Sequence, residues 1–377
     1  MYKTVTYFVL ILFPLILFAQ VKKRVREYGV KPGVMQTGKL NSITDVAGVK
    51  VGHATLIKAD SIRTGVTAIL PFEGNIFQQK VPAAVFVGNG FGKLTGSTQI
   101  NELGNLETPI ILTNTLNVST AMDALISFTL QQKGNEKIAS VNAVVGETND
   151  SYLNDIRGRH VTTADVLAAI QKAKIGIVEE GAVGAGTGTV CFGYKGGIGT
   201  SSRKLPPGLG GYTVGVLVQT NFGGVLQIDG VPVGEIMGKF SFNDQLLNNA
   251  DGSCMIVVAT DAPLDHRNLL RLAKRAMLGL GKTGGIASNG SGDYVIAFST
   301  AENLRVPHNN STRLINNATV NNDDTSPIFM AAIEATEEAI LNSLFAATAI
   351  TGKNGNKAIP IPLDIILPIL KQYNRIQ

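Results

Sequence analysis

The stretch that decides the fold runs from Asn248 to Leu264 and reads Asn-Asn-Ala-Asp-Gly-Ser-Cys-Met-Ile-Val-Val-Ala-Thr-Asp-Ala-Pro-Leu. Its first half is polar and favours turns, whereas the apolar, β-branched run Met255 to Ala259 predicts a buried strand. A loop therefore meets a strand at Gly252-Ser253. Because glycine adopts backbone angles that are closed to other residues, this peptide can be held strained, with the serine hydroxyl directed at the preceding carbonyl.

The Gly252-Ser253 peptide has the residue types that self-cleavage by an N→O acyl shift requires. Cleavage gives Ser253 a free α-amine beside its own hydroxyl, and such an amine has a reference pKa of about 8. A neighbouring base is what a serine needs, because its hydroxyl is otherwise a weak nucleophile. A Gly-Ser pair before a strand is also an ordinary turn, and Cys254 is an alternative nucleophile. We favour the serine, since a thiol at the start of a buried strand is more often inert.

Ordered motifs occur on both sides of this peptide, from about Leu40 to Gly352. They are Asn41-Ser-Ile-Thr-Asp-Val-Ala-Gly-Val-Lys-Val-Gly-His53, Arg63-Thr-Gly-Val-Thr-Ala-Ile-Leu-Pro71, Gly196-Gly-Ile-Gly-Thr-Ser-Ser-Arg203, Ile228-Asp-Gly-Val-Pro-Val233 and Thr260-Asp-Ala-Pro-Leu264. Together with Gly252-Ser253 they resemble the self-processing serine aminopeptidases of the DmpA and β-peptidyl aminopeptidase family, peptidase family S58. The resemblance implies cleavage between Gly252 and Ser253, with the serine as nucleophile.

Two residues at predicted strand ends are candidates for substrate binding and oxyanion stabilisation. Glu147 lies in Val144-Val-Gly-Glu-Thr-Asn-Asp150, where it is either a solvated loop acid or a binding group for an ammonium. Asn221 follows the predicted strand Tyr212 to Val218, and its amide is either a turn former or a donor to a tetrahedral oxyanion. The resemblance implies ammonium binding for Glu147 and the oxyanion role for Asn221.

A second serine and an acid follow in Ser288-Asn-Gly-Ser-Gly-Asp-Tyr-Val-Ile-Ala-Phe298, a loop that leads into a strand. Ser291 and Asp293 are two residues apart, so on an extended segment they project from the same side. They match the family's serine and acidic residue that relay or orient the proton of the nucleophile. Two positions depart from the family pattern. Asp293 replaces a glutamate, and Asn149 replaces a tyrosine whose role here is vacant or has moved to Tyr152.

The glycine-rich segments imitate nucleotide-binding loops without matching them. Gly88 to Gly92, Gly181 to Arg203 and Ala276 to Thr283 fit neither GxGxxG nor GxxxxGK[ST] in the required structural order, so we expect turns and close packing. The four histidines lack metal-ligand spacing, and the sequence has no GxSxG elbow. We therefore predict neither a metal nor a cofactor.

Residues 1–20 carry one lysine and then an apolar run that is interrupted by Pro14. The run is shorter than the roughly 20 residues of a membrane span, which predicts a secretory signal cut near Ala19 or Gln20; an uncleaved anchor is the alternative. We expect a periplasmic or secreted protein with a flexible, basic segment over residues 21–38. The net charge of +5 includes no basic block with interleaved aromatics, so nucleic acid is not an expected partner, nor is a membrane after signal removal.

Strand and helix patterns alternate irregularly along the chain, which predicts a mixed α/β fold. Further strands are predicted at Val66–Leu70, Ala83–Val87 and Ile110–Leu112, and helices from Ser119 to Lys133, after Thr162, from Asp265 to Leu278 and from Ser326 to Gly352. The resemblance implies an αββα four-layer sandwich, similar in layout to the N-terminal nucleophile hydrolases but with different connectivity. It also implies one domain over residues 39–377, cut into chains 21–252 and 253–377 and assembled as a homotetramer.

The sequence thus predicts a self-processing serine aminopeptidase that acts on small peptides, aminoacyl amides or esters through an acyl-enzyme on Ser253. Two alternatives stay open. One is acyl transfer to an amine, as in the similarly folded ornithine acetyltransferases, which use threonine at the cleavage point. The other is a processed but inactive binding protein, for which Asn149 and Asp293 are the reason.

Overall fold

The computed structural model describes residues 23–243, 252–309 and 313–376. The predicted secretory signal and residues 244–251 of the polar loop lie outside these ranges. The strands within them are β1 (Lys50–Lys58), β2 (Ile62–Leu70), β3 (Gln79–Gly90), β4 (Asn105–Leu106), β5 (Ile110–Asn114), β6 (Val144–Thr148), β7 (Val190–Cys191), β8 (Tyr194–Lys195), β9 (Ile198–Lys204), β10 (Thr213–Asn221), β11 (Ser253–Thr260), β12 (Gly292–Ser299), β13 (Val306–Pro307), β14 (Ile350–Thr351) and β15 (Lys357–Ala358). The α-helices are α1 (Ser97–Leu103), α2 (Val118–Leu130), α3 (Thr163–Gln171), α4 (Val233–Ile236), α5 (His266–Lys282), α6 (Ser326–Phe345) and α7 (Leu363–Gln372). None of these described helices has both the length and the apolar composition of a membrane-crossing segment.

Most of the strands belong to two sheets. The larger sheet has seven strands, with the order β13-β3-β12-β11-β10-β9 and with β4 paired to β3. The smaller sheet has the order β1-β2-β5-β6. In the larger sheet β11 is antiparallel to β10 and parallel to β12. Parallel neighbours need a crossover connection, and α5 lies in that connection between β11 and β12.

The predicted strand Met255 to Ala259 is confirmed as the buried centre of β11, and its side chains alternate between two hydrophobic clusters. Its odd-numbered residues belong to a cluster that also receives residues of β1, β2 and β5 from the smaller sheet. Its even-numbered residues belong to a cluster that contains the buried faces of α5 and α6. Each fully buried Val or Ile contributes roughly 1.5–3 kcal/mol. Because Ser253 is in phase with Met255, its side chain belongs to the face turned toward the smaller sheet.

Helices α5 and α6 pack against β3, β9, β10 and β12 of the larger sheet, and α2 and α3 pack against the smaller sheet. The predicted helix starts at Thr162 and Asp265 are confirmed, because both side chains accept hydrogen bonds from the first turns of α3 and α5. Ser119, predicted as a cap, instead lies inside α2. The long helix that we predicted to reach Gly352 ends at Phe345, and the short strand β14 follows it.

The segment over residues 21–38, predicted to be flexible, is instead packed against the domain from residue 23 onward. The Arg24 guanidinium lies 2.6 Å from the Glu180 carboxylate, and that of Arg26 lies 2.8 Å from Glu338. Two valines of the segment are fully buried. Arg24 and Arg26, two basic residues of the segment that we predicted to be flexible, are therefore the partners of buried carboxylates.

The glycine-dense segment Gly181 to Arg203 contains most of strand β9, which the sequence reading missed. Gly199 shows why glycine is needed there, since a Cβ at this residue would lie 1.9 Å from the carbonyl oxygen of Ala339. Strand β9 and helix α6 therefore pack backbone against backbone. The expectation of close packing in this segment is confirmed, and strand β9 is a feature that the prediction of turns and close packing did not include.

Candidate active site

Ser253 begins β11 at the point where three strands of the larger sheet meet. Asn221, the last residue of β10, is directly opposite it in the antiparallel pair. Gly292, the first residue of β12, is its partner in the parallel pair. Ser253 is 6% exposed. The sheet register therefore brings Ser253 between Asn221 and the segment that carries Ser291 and Asp293.

The Ser253 hydroxyl is directed at the peptide bond that precedes it. Its Oγ donates a hydrogen bond of 2.6 Å to the carbonyl oxygen of Gly252. The Gly292 N–H points to the same place, with its nitrogen 3.2 Å from that carbonyl oxygen and 3.3 Å from Ser253 Oγ. The carbonyl thus has a backbone donor that withdraws electron density, and a hydroxyl oxygen lies beside it.

Gly252 passes close to the backbone of β10. A Cβ at Gly252 would lie 2.7 Å from the Cα of Phe222 and 3.1 Å from the carbonyl oxygen of Asn221. A side chain at this position would displace the peptide from the strand beside it. Glycine is therefore required here by lack of space.

The Asn221 side chain is oriented by a backbone group. Its Oδ1 accepts a hydrogen bond of 3.0 Å from the Val190 N–H. Because a backbone N–H can only donate, this contact fixes which end of the amide is oxygen and leaves the NH₂ at the other end. Residues directly opposite in an antiparallel pair have Cβ atoms about 4.5–5.5 Å apart. The Asn221 amide is therefore a suitable donor for an oxyanion that forms at Ser253.

Ser291 and Asp293 flank Gly292, and each is 1% exposed. Burial raises the pKa of the Asp293 carboxyl to about 6, and the nearby Ser291 hydroxyl and Cys254 amide oppose part of that rise. Neither of these groups makes a hydrogen bond of ordinary length and angle with it among the described residues. The pair therefore offers a buried hydroxyl and a buried carboxyl on either side of Gly292, and in the register Asp293 is paired with Cys254.

Glu147 lies near the end of β6 and is 2% exposed. Its Oε1 accepts a hydrogen bond of 3.0 Å from the Lys93 N–H, and its Oε2 accepts one from the Thr115 hydroxyl. The ammonium of Lys93 is 3.9 Å away on a side chain that is 54% exposed. Burial raises the pKa of Glu147, while Thr115 and Lys93 oppose the rise. A buried carboxylate with one weakly held cation is well suited to bind the ammonium of a ligand.

Gly92 lies between Glu147 and Gly292, the residue that pairs with Ser253. A Cβ at Gly92 would lie 3.2 Å from Glu147 Oε1 and 3.2 Å from the Cα of Gly292, which pairs with Ser253. The segment from Gly88 to Gly92, for which we predicted turns and close packing, continues β3 to Gly90 and then crosses over Gly292. Glu147 is therefore close to the group formed by Ser253, Asn221 and Gly292.

Neither Asn149, which stands where the resemblance places a tyrosine after Glu-Thr, nor Tyr152 is buried at the site. The Asn149 side chain is exposed and accepts a hydrogen bond of 3.0 Å from the Ser151 N–H, as in a turn. Tyr152 is 51% exposed. A different tyrosine, Tyr294, is buried beside the site, and its hydroxyl accepts a hydrogen bond of 2.9 Å from the Gly92 N–H. The sequence analysis did not single out Tyr294, although this residue directly follows Asp293 at the start of a predicted strand.

Cys254 points away from Ser253 into the cluster formed with α5 and α6. Burial, with smaller contributions from Asp293 and Cys191, raises the pKa of its thiol well above the usual value. A thiol in this state is a poor nucleophile. Among the described residues, no three His, Cys, Asp or Glu side chains are grouped as metal ligands.

Comparison with known proteins is consistent with this arrangement. The model of peptidase family S58 matches residues 41–358. The β-peptidyl aminopeptidase BapA of Sphingosinicella microcystinivorans is 43% identical over 375 residues, which cover 94% of this chain and 93% of that protein. A solved structure from Pyrococcus horikoshii OT3 has 47% identity and a TM-score of 0.86, and the match covers 93% of this chain and 99% of that one.

A second similar structure is the L-aminopeptidase D-Ala-esterase/amidase of Ochrobactrum anthropi, described as a prototype of the serine aminopeptidases and a new variant of the Ntn hydrolase fold. It has 37% identity and a TM-score of 0.86, and the match covers 94% of this chain and 99% of that one. The fold and these comparisons thus define a serine aminopeptidase, whose mixed α/β fold is similar to that Ntn hydrolase variant. The chain belongs to peptidase family S58.

Proposed function

We propose that the chain cleaves itself between Gly252 and Ser253 and then works as an aminopeptidase with Ser253 as nucleophile. The observation that carries this proposal is the contact between Ser253 Oγ and the Gly252 carbonyl. In cleavage, Oγ attacks the carbonyl carbon, the C–N bond breaks, and the nitrogen takes the hydroxyl proton. Water then hydrolyses the ester, which leaves a carboxylate on Gly252 and a free α-amine on Ser253.

In turnover, Ser253 Oγ attacks the carbonyl carbon of the substrate's first residue. The α-amine of Ser253, or Asp293 through Ser291, takes the hydroxyl proton, and the leaving amine is protonated as its bond to the carbonyl breaks. The Asn221 NH₂ donates to the oxyanion in each tetrahedral intermediate. Water then attacks the acyl-enzyme and releases the amino acid. Support for these roles comes from the register that brings Asn221 and Gly292 to either side of Ser253.

The substrates we propose are small peptides, amides or esters with a free amino terminus. Glu147 binds the substrate ammonium, and this contact restricts the enzyme to the first residue. One of the named relatives is a β-peptidyl aminopeptidase, and another is an L-aminopeptidase D-Ala-esterase/amidase. A panel of L-, D- and β-aminoacyl p-nitroanilides tests the proposal. Release of nitroaniline from the free amines but not from their N-acetyl forms is the expected result, and equal release from both would contradict it.

We further propose the αββα four-layer arrangement and a homotetramer of two-chain protomers in the periplasm or outside the cell. Support for the layers comes from α2 and α3 on the smaller sheet, α5 and α6 on the larger sheet, and the hydrophobic cluster that both sheets share. Light scattering of the mature protein tests the assembly, and fractionation of the producing cells tests the compartment. A monomer in solution or a cytoplasmic product would contradict these assignments.

Replacing Glu147 with glutamine is expected to lower kcat/KM for substrates with a free ammonium by roughly 10–100-fold, because a charge-assisted contact is replaced by a neutral one. Most of the change is expected in KM, which steady-state kinetics will show. The matched control is Lys93→Met, which keeps the carboxylate and removes its half-exposed neighbour; it is expected to leave kcat/KM unchanged or raised. An unchanged kcat/KM in Glu147→Gln would rule out the ammonium contact.

The pH profile of the enzyme is expected to depend on Asp293, whose pKa burial raises to about 6. Its carboxyl is protonated below that pH and ionised above it, so kcat/KM rises through about pH 6 if the carboxylate accepts the proton. Asp293→Asn is expected to remove this limb and to lower the plateau by about 10-fold, since the α-amine remains as a base.

The matched control for Asp293 is Asp150, another buried acid, whose pKa is raised to about 7 mainly by burial. It accepts a hydrogen bond of 2.9 Å from the Asn154 side chain and follows β6 rather than flanking Gly292. Asp150→Asn is expected to keep the limb near pH 6. If the rise of kcat/KM near pH 6 persists in Asp293→Asn and disappears in Asp150→Asn, the titrating group is Asp150 and not Asp293.

A further inference from the structure

Lys195 is a lysine with its whole side chain buried, in the glycine-dense segment that the proposed mechanism does not use. Its Nζ donates hydrogen bonds to three carbonyl oxygens, at 2.9 Å to Gly186, 2.8 Å to Thr189 and 2.7 Å to Gly196. An ammonium has three N–H donors, and each of these contacts uses one of them. The lysine thus holds together backbone from both sides of the β7–β8 hairpin.

Two of those carbonyls belong to the residues that lead into Val190. The Thr189 hydroxyl also donates to the Gly186 carbonyl, at 3.1 Å. The backbone from Gly186 to Thr189 is therefore held by two side chains, Lys195 and Thr189. Val190 itself pairs with Lys195 across the hairpin. Its N–H is the group that donates to Asn221 Oδ1 at 3.0 Å. A continuous set of hydrogen bonds therefore runs from the Lys195 ammonium to the amide opposite Ser253.

We propose that Lys195 is a positioning residue for the oxyanion donor. By holding the backbone from Gly186 to Thr189, its ammonium fixes the direction of the Val190 N–H, and that N–H fixes which end of the Asn221 amide faces Ser253. A displacement of about 1 Å at a catalytic group can change a rate by about 100-fold. This inference rests on the proposed oxyanion role of Asn221.

The test is a double-mutant cycle between Lys195→Met and Asn221→Ala in the full chain. Rates are normalised to the amount of chain that begins at Ser253, and folding is checked by circular dichroism. Lys195→Met alone is expected to lower kcat by about 10–100-fold with KM within about two-fold. In the Asn221→Ala background it is expected to change kcat by less than about two-fold, since the two residues act as a unit.

Lys239 supplies the matched control, because its Nζ donates to the Gly193 carbonyl at 3.1 Å in the same hairpin without reaching the approach to Val190. Lys239→Met is expected to leave kcat within about two-fold of the parent. If Lys195→Met does not fold, Thr189→Val is the milder variant, because it removes only the hydroxyl contact with the Gly186 carbonyl. Its effect on kcat is expected to be non-additive with that of Asn221→Ala in the same double-mutant cycle.

The outcomes separate this inference from the proposed function. Losses that multiply in the double variant, or an unchanged kcat in Lys195→Met or Thr189→Val, would show a structural role only and overturn the inference. A kcat in Asn221→Ala equal to that of the parent would overturn the oxyanion role itself. Non-additive losses with a normal Lys239→Met variant are the result that we expect.

Discussion

Replacing Ser253 with alanine is expected to leave the protein as one uncleaved chain and to lower kcat by roughly 10⁴-fold or more, as removal of a catalytic nucleophile does. Both effects have the same cause, because the hydroxyl that lies 2.6 Å from the Gly252 carbonyl oxygen is also the proposed nucleophile in turnover. Denaturing electrophoresis of the purified protein and an aminoacyl p-nitroanilide assay measure them.

The control for this prediction is Cys254→Ala, which removes the neighbouring thiol and leaves the serine. Because Cys254 is fully buried on the side of the sheet that faces α5 and α6, the variant is expected to be cleaved and to keep kcat within about three-fold. Normal activity in Ser253→Ala together with inactivity in Cys254→Ala would reassign the nucleophile to the thiol.

Asn221→Ala is expected to lower kcat by about 10²–10³-fold with little change in KM, because one preorganised oxyanion donor is removed. The donor acts on charge that develops only in the transition state, so ground-state binding of the substrate is retained. Steady-state kinetics on the two-chain form of the protein separate kcat from KM.

Asn221→Asp is the informative companion variant. A carboxylate at this position can still accept the hydrogen bond from the Val190 N–H, but it has no N–H to donate to an oxyanion. It is therefore expected to be at least as slow as Asn221→Ala. If Asn221→Asp keeps the parent's kcat, the contact with Val190 matters only for structure, and the oxyanion donor must be a backbone group such as the Gly292 N–H.

The parts of the fold that the sequence predicted are those that local chemistry determines. The apolar run of β11 and the caps at Thr162 and Asp265 depend on neighbours within a few residues, and the structure has all three. Strand β9 was missed because Ile198 is its one large apolar residue, so it has no apolar alternation, and because its Gly199 is present for contact with the distant helix α6. The segment over residues 21–38 was misjudged for a similar reason, since its buried acidic partners lie far along the chain.

The candidate site also has parts that the local sequence predicts and parts that depend on distant contacts. Ser253, Glu147 and Asn221 are readable as side chains at predicted strand ends, and the resemblance gives them roles. The register that places Asn221 and Gly292 on either side of Ser253 depends on pairing between distant strands, which no local pattern fixes. No local pattern marks Lys195 in the sequence, because only the folded hairpin shows the three carbonyls that surround it.

The measurement that tests the central claim most directly is N-terminal sequencing of the active protein, combined with intact mass of its chains. The account predicts a chain that begins Ser-Cys-Met-Ile-Val at Ser253 and a companion chain that ends at Gly252. The two are expected to co-purify, because β11 is hydrogen-bonded to β10 of the companion chain. Active protein that consists of a single chain continuous through Gly252 and Ser253 would contradict the account.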